Sequence, residues 1–405
     1  MTEFRPQGSI SMNAPPATSP NRALMPDLLR AFALVGIAVV NVIGFAQPLS
    51  SGFFGSGLES PADRLAFGAM ASLFLMKSYP LFAMMFGAGL AWQLASAQRS
   101  GADAGARYFR RMAALIFIGV LHFVFFWYGD ILITYGLLGC LFFVMRGASV
   151  KTLIGTGAAL IAANTAILLL FAALISSGET HAPEAIAEAR DPQNDAEQIE
   201  MLTNGAFLEV ASWRLSQLPF FLPAAFLQQG IAVFGYFCLG LAAVKAGVID
   251  QPKARIWVLS RWVFLPAGLV GSLWGARLLL DADAMISGQF MLGNAVLMAF
   301  SAFSALGYAG LIALFSTGKA GPIRRFFARA GSASLSAYLL QSLILSLLFS
   351  GYGVGLFGQT SATQAILTAV GVGLASLAFA GTWRSFAARG PMEALLRRFT
   401  YWGRA

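Results

Sequence analysis

The two residues best suited to chemistry in this chain lie in one hydrophobic segment, 110–146. His122 is one of only two histidines, and Asp130 is the only acidic residue of the segment. A titratable side chain inside a membrane span costs roughly 2.5 to 3.5 kcal/mol on insertion scales, so such a residue is a functional-site candidate. A nearby carboxylate raises the basicity of an imidazole, which can then take a proton from a hydroxyl or an amine. His122 and Asp130 are therefore the candidate catalytic residues.

Each of these residues also has an ordinary structural interpretation. His122 could hydrogen-bond a neighbouring helix, because polar contacts between helices are common in membranes. Asp130 could cap the helix that begins after it, since a carboxylate at a helix N-terminus accepts bonds from free N–H groups. A cap is compatible with catalysis, because it fixes the direction in which the carboxylate points.

The segment around the two residues predicts a membrane hairpin. Two apolar arms of about 17 to 19 residues are each long enough to cross ~30 Å of hydrocarbon. A tight turn at 128–130 joins them, with Arg110 and Arg111 before the first arm and Arg146 after the second. The two arms therefore form a pair of membrane spans.

The composition of the whole chain extends this interpretation. Hydrophobic residues make up 58% and charged residues 11%, whereas a soluble domain carries about 25% charge. We expect an all-α polytopic transmembrane bundle of about ten spans. The net charge of +9 comes from Lys and Arg in short loops beside spans, which indicates membrane orientation and not nucleic-acid binding. Cys140 and Cys238 lie in apolar runs, so neither a disulfide framework nor a metal site is expected.

The distribution of polar and charged residues predicts the order of the regions and their orientation. Every second loop is basic, so the positive-inside rule places both termini in the cytoplasm and the Asp130 turn outside. His122 then lies about 12 Å below that turn. The predicted regions are a disordered cytoplasmic tail (1–24), an N-terminal membrane bundle of about five spans (25–176), an acidic extracytoplasmic loop (177–212), a C-terminal membrane bundle of about five spans (213–384) and a cytoplasmic interfacial tail (385–405).

A second polar feature interrupts the predicted span 64–98. The residues 77–80, Lys-Ser-Tyr-Pro, predict a broken helix, because proline removes a backbone donor and often kinks a helix. Lys77 either snorkels to an interface or binds an anionic group in a cavity. The candidate substrate-binding residues are Asn41, Lys77, Tyr135 and Gln341.

Paired arginines form a third group of candidates. They are first of all signals of membrane orientation, and only second a cradle for cytosolic phosphates. The candidate cofactor-binding residues are Arg110, Arg111, Arg324 and Arg325.

Four blocks of sequence occur in an order typical of one bacterial membrane family. They are MPDLLRAFALVGIAVVNVIGF, KSYPLFAMMFGAGL, GVLHFVFFWYGDILITYGLLG, and the C-terminal pair GSASLSAYLLQSLILSLLFSGYGVGLFG and ARGPMEALLRRFTY. These blocks resemble YeiB-like proteins, whose C-terminal domain has no assigned function. The chain departs from the usual pattern at Pro26, Ala31, Ala337 and Ala394.

YeiB-like proteins are in turn distantly similar to the transmembrane acyltransferase superfamily, which includes the lysosomal heparan glucosamine acetyltransferase. This resemblance implies acyl-CoA as a cytosolic co-substrate, no permanently bound cofactor, and an extracytoplasmic acceptor that is a glycan or is lipid-linked. It implies His122 as general base, Asp130 as its orienting group, and Asn41 and Lys77 as groups that polarise the acyl carbonyl. The superfamily's catalytic histidine lies elsewhere in the chain, so His122 is not its equivalent. We expect a multi-pass protein of the bacterial cytoplasmic (inner) membrane, with a homodimer as one possible assembly.

Two alternatives belong to other functional classes. A broken helix with a lysine at mid-membrane is also typical of substrate sites in transporters and exporters, although the sequence shows no convincing inverted repeat. A non-catalytic sensor or scaffold could use the acidic loop to meet a partner. Release of CoA from acetyl-CoA would distinguish an enzyme from a transporter and from a sensor or scaffold.

Overall fold

The structure of the chain is a computed structural model that describes residues 24–48, 51–54, 57–190 and 192–402. The predicted disordered tail, except for its last residue, lies outside the described residues. The described part of the chain is mostly helical and contains no β-strand. Its α-helices, numbered in chain order, are α1 Met25–Ala46, α2 Pro61–Leu73, α3 Ser78–Arg99, α4 Ala104–Phe125, α5 Leu132–Phe142, α6 Val150–His181, α7 Pro183–Arg190, α8 Pro192–Asn204, α9 Phe207–Ala225, α10 Ile231–Lys245, α11 Arg255–Leu259, α12 Leu265–Leu280, α13 Gly288–Phe315, α14 Pro322–Ser332, α15 Ser334–Phe349, α16 Ala362–Phe386 and α17 Pro391–Thr400.

The predicted polytopic helical bundle is confirmed, with fewer spans than expected. Within the described ranges, eight helical segments are long and apolar enough to cross a membrane, and a ninth results if α14 and α15, bent by 78° at their junction, count as one. The prediction was about ten. Two elements account for the difference between ten and eight. One is α15, which with 16 residues counts only together with α14. The other is the second arm of the hairpin, because α5 has 11 residues followed by a 5-residue 3-10 turn. At ~1.5 Å per residue this arm falls short of ~30 Å of hydrocarbon.

The hairpin gives the bundle two chemically different ends. Helix α4 begins three residues after Gly101 and carries Arg110 and Arg111 in its first half, and it ends at the turn 126–131. We call the end that holds these arginines the basic end. We call the end that holds 126–131 the turn end.

Two helical segments are too long for a single crossing. Pro61–Arg99, which contains α2 and α3, and Phe207–Lys245, which contains α9 and α10, have 39 residues each. This corresponds to about 58 Å of helix, against ~30 Å of hydrocarbon. Both segments finish at the basic end, so their excess length lies at the turn end. There α2 and the start of α9 project beyond the predicted membrane thickness.

Close approach of backbones holds the centre of the bundle together. A Cβ atom at Gly87 of α3 would collide with the Phe237 carbonyl oxygen, and one at Gly240 of α10 would collide with that of Met84. Small residues allow helices in lipid to pack at short range, where van der Waals contacts replace the hydrophobic effect. Gly87 and Gly240 therefore allow the close packing of α3 against α10.

The acidic segment is folded and covers the turn end. Helix α6 continues to His181, and α7 and α8 fill most of the remainder of 177–212. Arg190 anchors α7, because its Nε donates to the Ile286 carbonyl at 3.0 Å. Gln198 of α8 is buried, and its Nε2 donates to the Tyr128 hydroxyl at 3.0 Å. The segment expected to be a loop thus forms a helical cover over the hairpin turn.

The basic end carries the predicted interfacial tail. Helix α17 packs along the start of α4, where Arg110 Nη1 donates to the Trp402 carbonyl at 3.0 Å. The Tyr401 ring lies between two guanidinium groups, at 4.3 Å from Arg107 and 4.0 Å from Arg397. A short helix with arginines and aromatic residues is typical of the membrane interface.

Candidate functional site

The structure brings His122 and Asp130 into direct contact. His122 lies one turn before the end of α4, and its carbonyl accepts both the Phe126 and Trp127 N–H groups at 2.9 Å. This shared acceptor ends the helix and turns the chain back toward α4. The distance from His122 Nδ1 to Asp130 Oδ2 is 2.6 Å, and the two residues are 1% and 2% exposed. The pair is therefore a short, buried contact.

The second carboxylate oxygen of Asp130 has a separate role. Oδ1 accepts the Ile133 backbone N–H at 2.8 Å, so the carboxylate caps the start of α5. Gly119 allows this approach, because a Cβ there would lie 2.9 Å from Oδ1 and 2.8 Å from the Ile133 nitrogen. The structural and the functional interpretations of Asp130 both fit, since the cap fixes the carboxylate that holds the imidazole.

The other imidazole nitrogen of His122 is unpaired. Among the described residues, no hydrogen-bond partner reaches Nε2 although the atom is buried. The carboxylate accepts Nδ1–H, which leaves the lone pair on Nε2. The ring lies 5.0 Å from the Tyr338 ring, centroid to centroid, with a tilt of 51°. The arrangement suits a proton acceptor whose orientation is fixed by a carboxylate.

A cavity of about 240 Å³ lies beside the turn that follows His122, although neither His122 nor Asp130 lines it. Trp127, Gly129 and Ile131 line it, so the turn that carries Asp130 forms one wall. Asn41 of α1, a predicted substrate-binding residue, lines it as well. We call this space the turn-end cavity.

The break between α2 and α3 forms a second wall. Residues 74–76, Ser78 and Tyr79 line the cavity. Met76 has φ +58°, a left-handed conformation that L side chains rarely adopt and that costs about 1 to 3 kcal/mol. Lys77 is 1% exposed, and its Nζ donates to the Ala71 and Leu75 carbonyls at 3.0 and 2.6 Å. The predicted broken helix is present, and its lysine bonds the backbone that the break exposes.

A π-helical segment, Phe226–Gly230, forms a third wall. Widening a helix leaves backbone groups without their usual partners, and π-segments are frequent at functional sites. Asn164 of α6 pairs these groups. Its Nδ2 donates to the Leu227 and Gln228 carbonyls at 3.2 and 3.1 Å, and its Oδ1 accepts the Ala232 N–H at 3.0 Å. The two consecutive glutamines of the segment both line the cavity.

A smaller pocket of about 110 Å³ lies toward the basic end. Arg30, Arg111 and Gln93 line it together with Tyr135 and the Tyr338 that packs on His122. The Arg111 Nε atom is buried and lacks a partner among the described residues. We call this space the basic-end pocket. Its guanidinium groups suit an anionic or carbonyl-bearing group.

The remaining predicted site residues take part in structural contacts. The Tyr135 hydroxyl donates to the Tyr79 carbonyl at 3.2 Å, and Gln341 Nε2 donates to Ser376 Oγ at 2.9 Å. Arg324 Nη1 donates to the Phe315 carbonyl at 2.8 Å, at the end of α13. Arg325 is exposed. The structure thus joins His122 with Asp130 and places Arg111 with Tyr135, whereas Lys77, Gln341, Arg324 and Arg325 line neither space.

Sequence reasoning missed a buried arginine next to the site. Arg214 of α9 is 3% exposed, and its Nη1 donates to the carbonyl of Phe125, the last residue of α4, at 2.9 Å. It also lies 3.3 Å from the Tyr352 hydroxyl. Burial raises the pKa of Tyr352, but the Arg214 charge and hydrogen bonds outweigh burial and lower that pKa overall. The signal that could have found Arg214 is its place as a lone arginine at the edge of an apolar run.

These features define a class: a multi-pass helical membrane protein with a buried histidine–aspartate pair and two chemically different spaces lined by neighbours of that pair. Across the described ranges, no three His, Cys, Asp or Glu side chains come together as metal ligands.

Comparison with known proteins agrees with the resemblance found in the sequence blocks. A family model described as protein of unknown function, DUF418, matches residues 243–403. The chain is 29% identical to the uncharacterized protein YeiB of Escherichia coli K12 over 92% of this chain and 95% of the relative. It is 26% identical to the uncharacterized protein YxaH of Bacillus subtilis strain 168 over 93% of each. No solved structure matches. The domain and the two relatives support the predicted resemblance to YeiB-like proteins.

Proposed function

We propose that the protein transfers an acyl group from a cytosolic acyl-CoA to an acceptor that enters from the opposite side of the membrane. The observation that carries the proposal is the buried, unpaired Nε2 of His122, held through Nδ1 by Asp130. Two spaces of opposite character are lined by neighbours of this pair, Gly129 and Ile131 in one and Tyr338 in the other. The basic-end pocket offers two guanidinium groups, and the turn-end cavity offers uncharged amides. A base at this position serves both reactants.

The bonds and protons of this transfer balance with the acceptor hydroxyl, the thioester and His122 alone. His122 Nε2 takes the proton of an acceptor hydroxyl, whose oxygen attacks the thioester carbonyl carbon. The carbon–sulfur bond breaks, and the CoA thiolate leaves with the proton that His122 returns. Arg111 lies eleven residues before His122 on α4, about 16 Å away along the axis, and from there it attracts the anionic acyl-CoA toward the pair. Asp130 stabilises the imidazolium formed on the way.

The charge distribution supports the direction of transfer. The basic end carries the arginines of α4 and α17, and the positive-inside rule assigns such an end to the cytosol. The donor therefore approaches from the basic end. The acceptor approaches from the turn end, beneath the cover formed by α7 and α8. Under this orientation the protein belongs in the bacterial cytoplasmic membrane.

The test uses membranes from cells that express the chain, supplied with radiolabelled acetyl-CoA. We expect label to pass to a membrane or envelope acceptor with release of free CoA thiol. General-base catalysis contributes roughly 10² to 10⁴-fold, so His122→Ala should lower the transfer rate by that factor. The matched control is His181→Ala, because His181 is exposed at the end of α6.

Two results would contradict the proposal. One is full transfer by a folded His122→Ala protein, with folding checked by its thermal unfolding temperature. The other is solute flux through sealed vesicles without release of CoA, which would support the transporter alternative.

A further inference from the structure

The lining of the turn-end cavity carries polar groups but no charge. Its polar members include four primary amides, from Asn41, Gln228, Gln229 and Asn294. Among the described residues that line it, none is Asp, Glu, Lys or Arg. A charged ligand here would lose its hydration without gaining an ionic partner, and this desolvation costs several kcal/mol per ion. The cavity therefore selects against charged molecules.

Several of these polar groups have vacant hydrogen-bonding positions. The side-chain amides of Asn41, Gln228 and Gln229 have no hydrogen-bond partner among the described residues. Trp127 is 4% exposed and lines the cavity, and its buried Nε1–H has no acceptor within the same part of the chain. Buried polar groups in native proteins normally have partners, so the buried Trp127 Nε1–H points to a ligand. The half-buried amides of Asn41 and Gln229 and the exposed amide of Gln228 are placed to contact the same ligand.

The chemistry of the vacant groups indicates what that ligand offers. A primary amide both donates and accepts hydrogen bonds, and so does a hydroxyl group. The cavity also has aromatic walls, from Phe74, Trp127 and Phe221. Flat aromatic faces suit the C–H faces of a saturated ring, while amides at the edge suit its hydroxyl groups.

The size of the cavity restricts the ligand to one ring. An engineered cavity of about 150 Å³ in another protein takes up benzene. A space of about 240 Å³ has room for a single substituted six-membered ring. Gln228 is exposed as well as lining the cavity, so the ring can reach the cavity beside the π-helical segment.

We propose that the turn-end cavity binds one neutral, hydroxyl-bearing ring, of the class of an uncharged monosaccharide unit. Because Gly129 and Ile131 flank Asp130, a ring in this cavity lies against the turn that carries Asp130. The assignment of this ring as acyl acceptor rests on the proposed function. The binding itself does not, because it requires no acyl donor.

The test measures equilibrium binding in lipid nanodiscs without acyl-CoA, by tryptophan fluorescence and by thermal shift. The probe is methyl α-D-glucopyranoside, compared with cationic glucosamine and anionic glucuronate. We expect saturable binding of the neutral sugar and at least tenfold weaker binding of both charged analogues. Gln229→Leu and Asn294→Leu should each weaken binding about tenfold. Gln217→Leu, on α9 but outside the cavity lining, is the matched control.

Each alternative outcome has a definite meaning. Absence of neutral-sugar binding, equally tight binding of a charged analogue, or unchanged binding by a folded Gln229→Leu protein would overturn this inference. Saturable binding without label transfer would retain the sugar site and contradict the acyl transfer. Saturable sugar binding together with label transfer that excess methyl glucopyranoside does not inhibit would place the acceptor elsewhere and contradict only the assignment of the ring as acyl acceptor.

Discussion

Two helical segments are interrupted beside the same cavity, and they are interrupted in different ways. In Pro61–Arg99 the chain leaves helical geometry at 74–77, and Lys77 pairs the exposed carbonyls from within the same segment. In Phe207–Lys245 the chain stays helical but widens at 226–230, and Asn164 pairs the exposed groups from another helix. One break is local, and the other depends on tertiary packing.

This difference indicates what each break contributes. A lysine is a donor without an acceptor, so Lys77 can pair only carbonyls. An asparagine has both a donor and an acceptor, so Asn164 pairs two carbonyls and one N–H group. At the first break, Met76 adopts a left-handed backbone conformation with φ +58°. The second break places Gln228 and Gln229 in the cavity lining, where they are proposed to contact the ligand.

The largest effect is expected at the break that depends on packing. Asn164→Leu would leave three backbone groups unpaired, the buried Ala232 N–H and the partly buried Leu227 and Gln228 carbonyls, at up to about 1 to 3 kcal/mol each before relaxation. We expect the free energy of unfolding to fall by about 3 to 5 kcal/mol, measured by denaturation of the purified protein. Sugar binding should weaken at the same time, because Gln228 and Gln229 would no longer be held in the cavity lining.

The neighbouring residue supplies a control for this change. Thr165 of α6 donates only to the Ile161 carbonyl of its own helix, at 3.0 Å. Thr165→Val should change stability by less than 1 kcal/mol. A loss at Asn164→Leu no larger than this control would show that the π-helical segment does not need its long-range partner.

A smaller effect is expected at the local break. Lys77→Met leaves the Ala71 and Leu75 carbonyls unpaired but also removes the desolvation cost of a buried ammonium group. We expect a net loss of about 1 to 3 kcal/mol in the free energy of unfolding. Lys151→Met, at an exposed site on α6, is the control for loss of one positive charge. Stability equal to that of this control would contradict a structural role for Lys77.

The smallest effect concerns two prolines. Pro223 lies inside α9, where proline removes a hydrogen bond, whereas Pro80 lies in the first turn of α3, where no partner exists for the missing N–H. We expect Pro223→Ala to stabilise the protein by about 1 kcal/mol and Pro80→Ala to give no gain. Thermal unfolding of both variants measures the difference. A gain in stability from Pro80→Ala but not from Pro223→Ala would contradict this account of the two prolines.

Much of the architecture was predictable from local patterns. The interruption before Pro80 and the hairpin turn were both expected, and the structure contains each of them. The Asp130 cap was also expected, because its partner Ile133 is three residues away. The second hairpin arm was expected to be a full span, and the acidic segment to be mainly a loop. Composition shows that a segment is apolar or acidic, but not how far a helix extends or what it packs against.

The sequence by itself determined that this chain is a membrane-spanning helical protein with a histidine and an aspartate in one hairpin, because insertion into lipid depends on the composition of each segment. Only the tertiary structure decided that Nε2 of His122 has no partner, that Tyr338 packs on the imidazole, and that Asn164 holds the π-helical segment. These facts depend on distances between side chains far apart in the chain, and helix packing alone sets those distances.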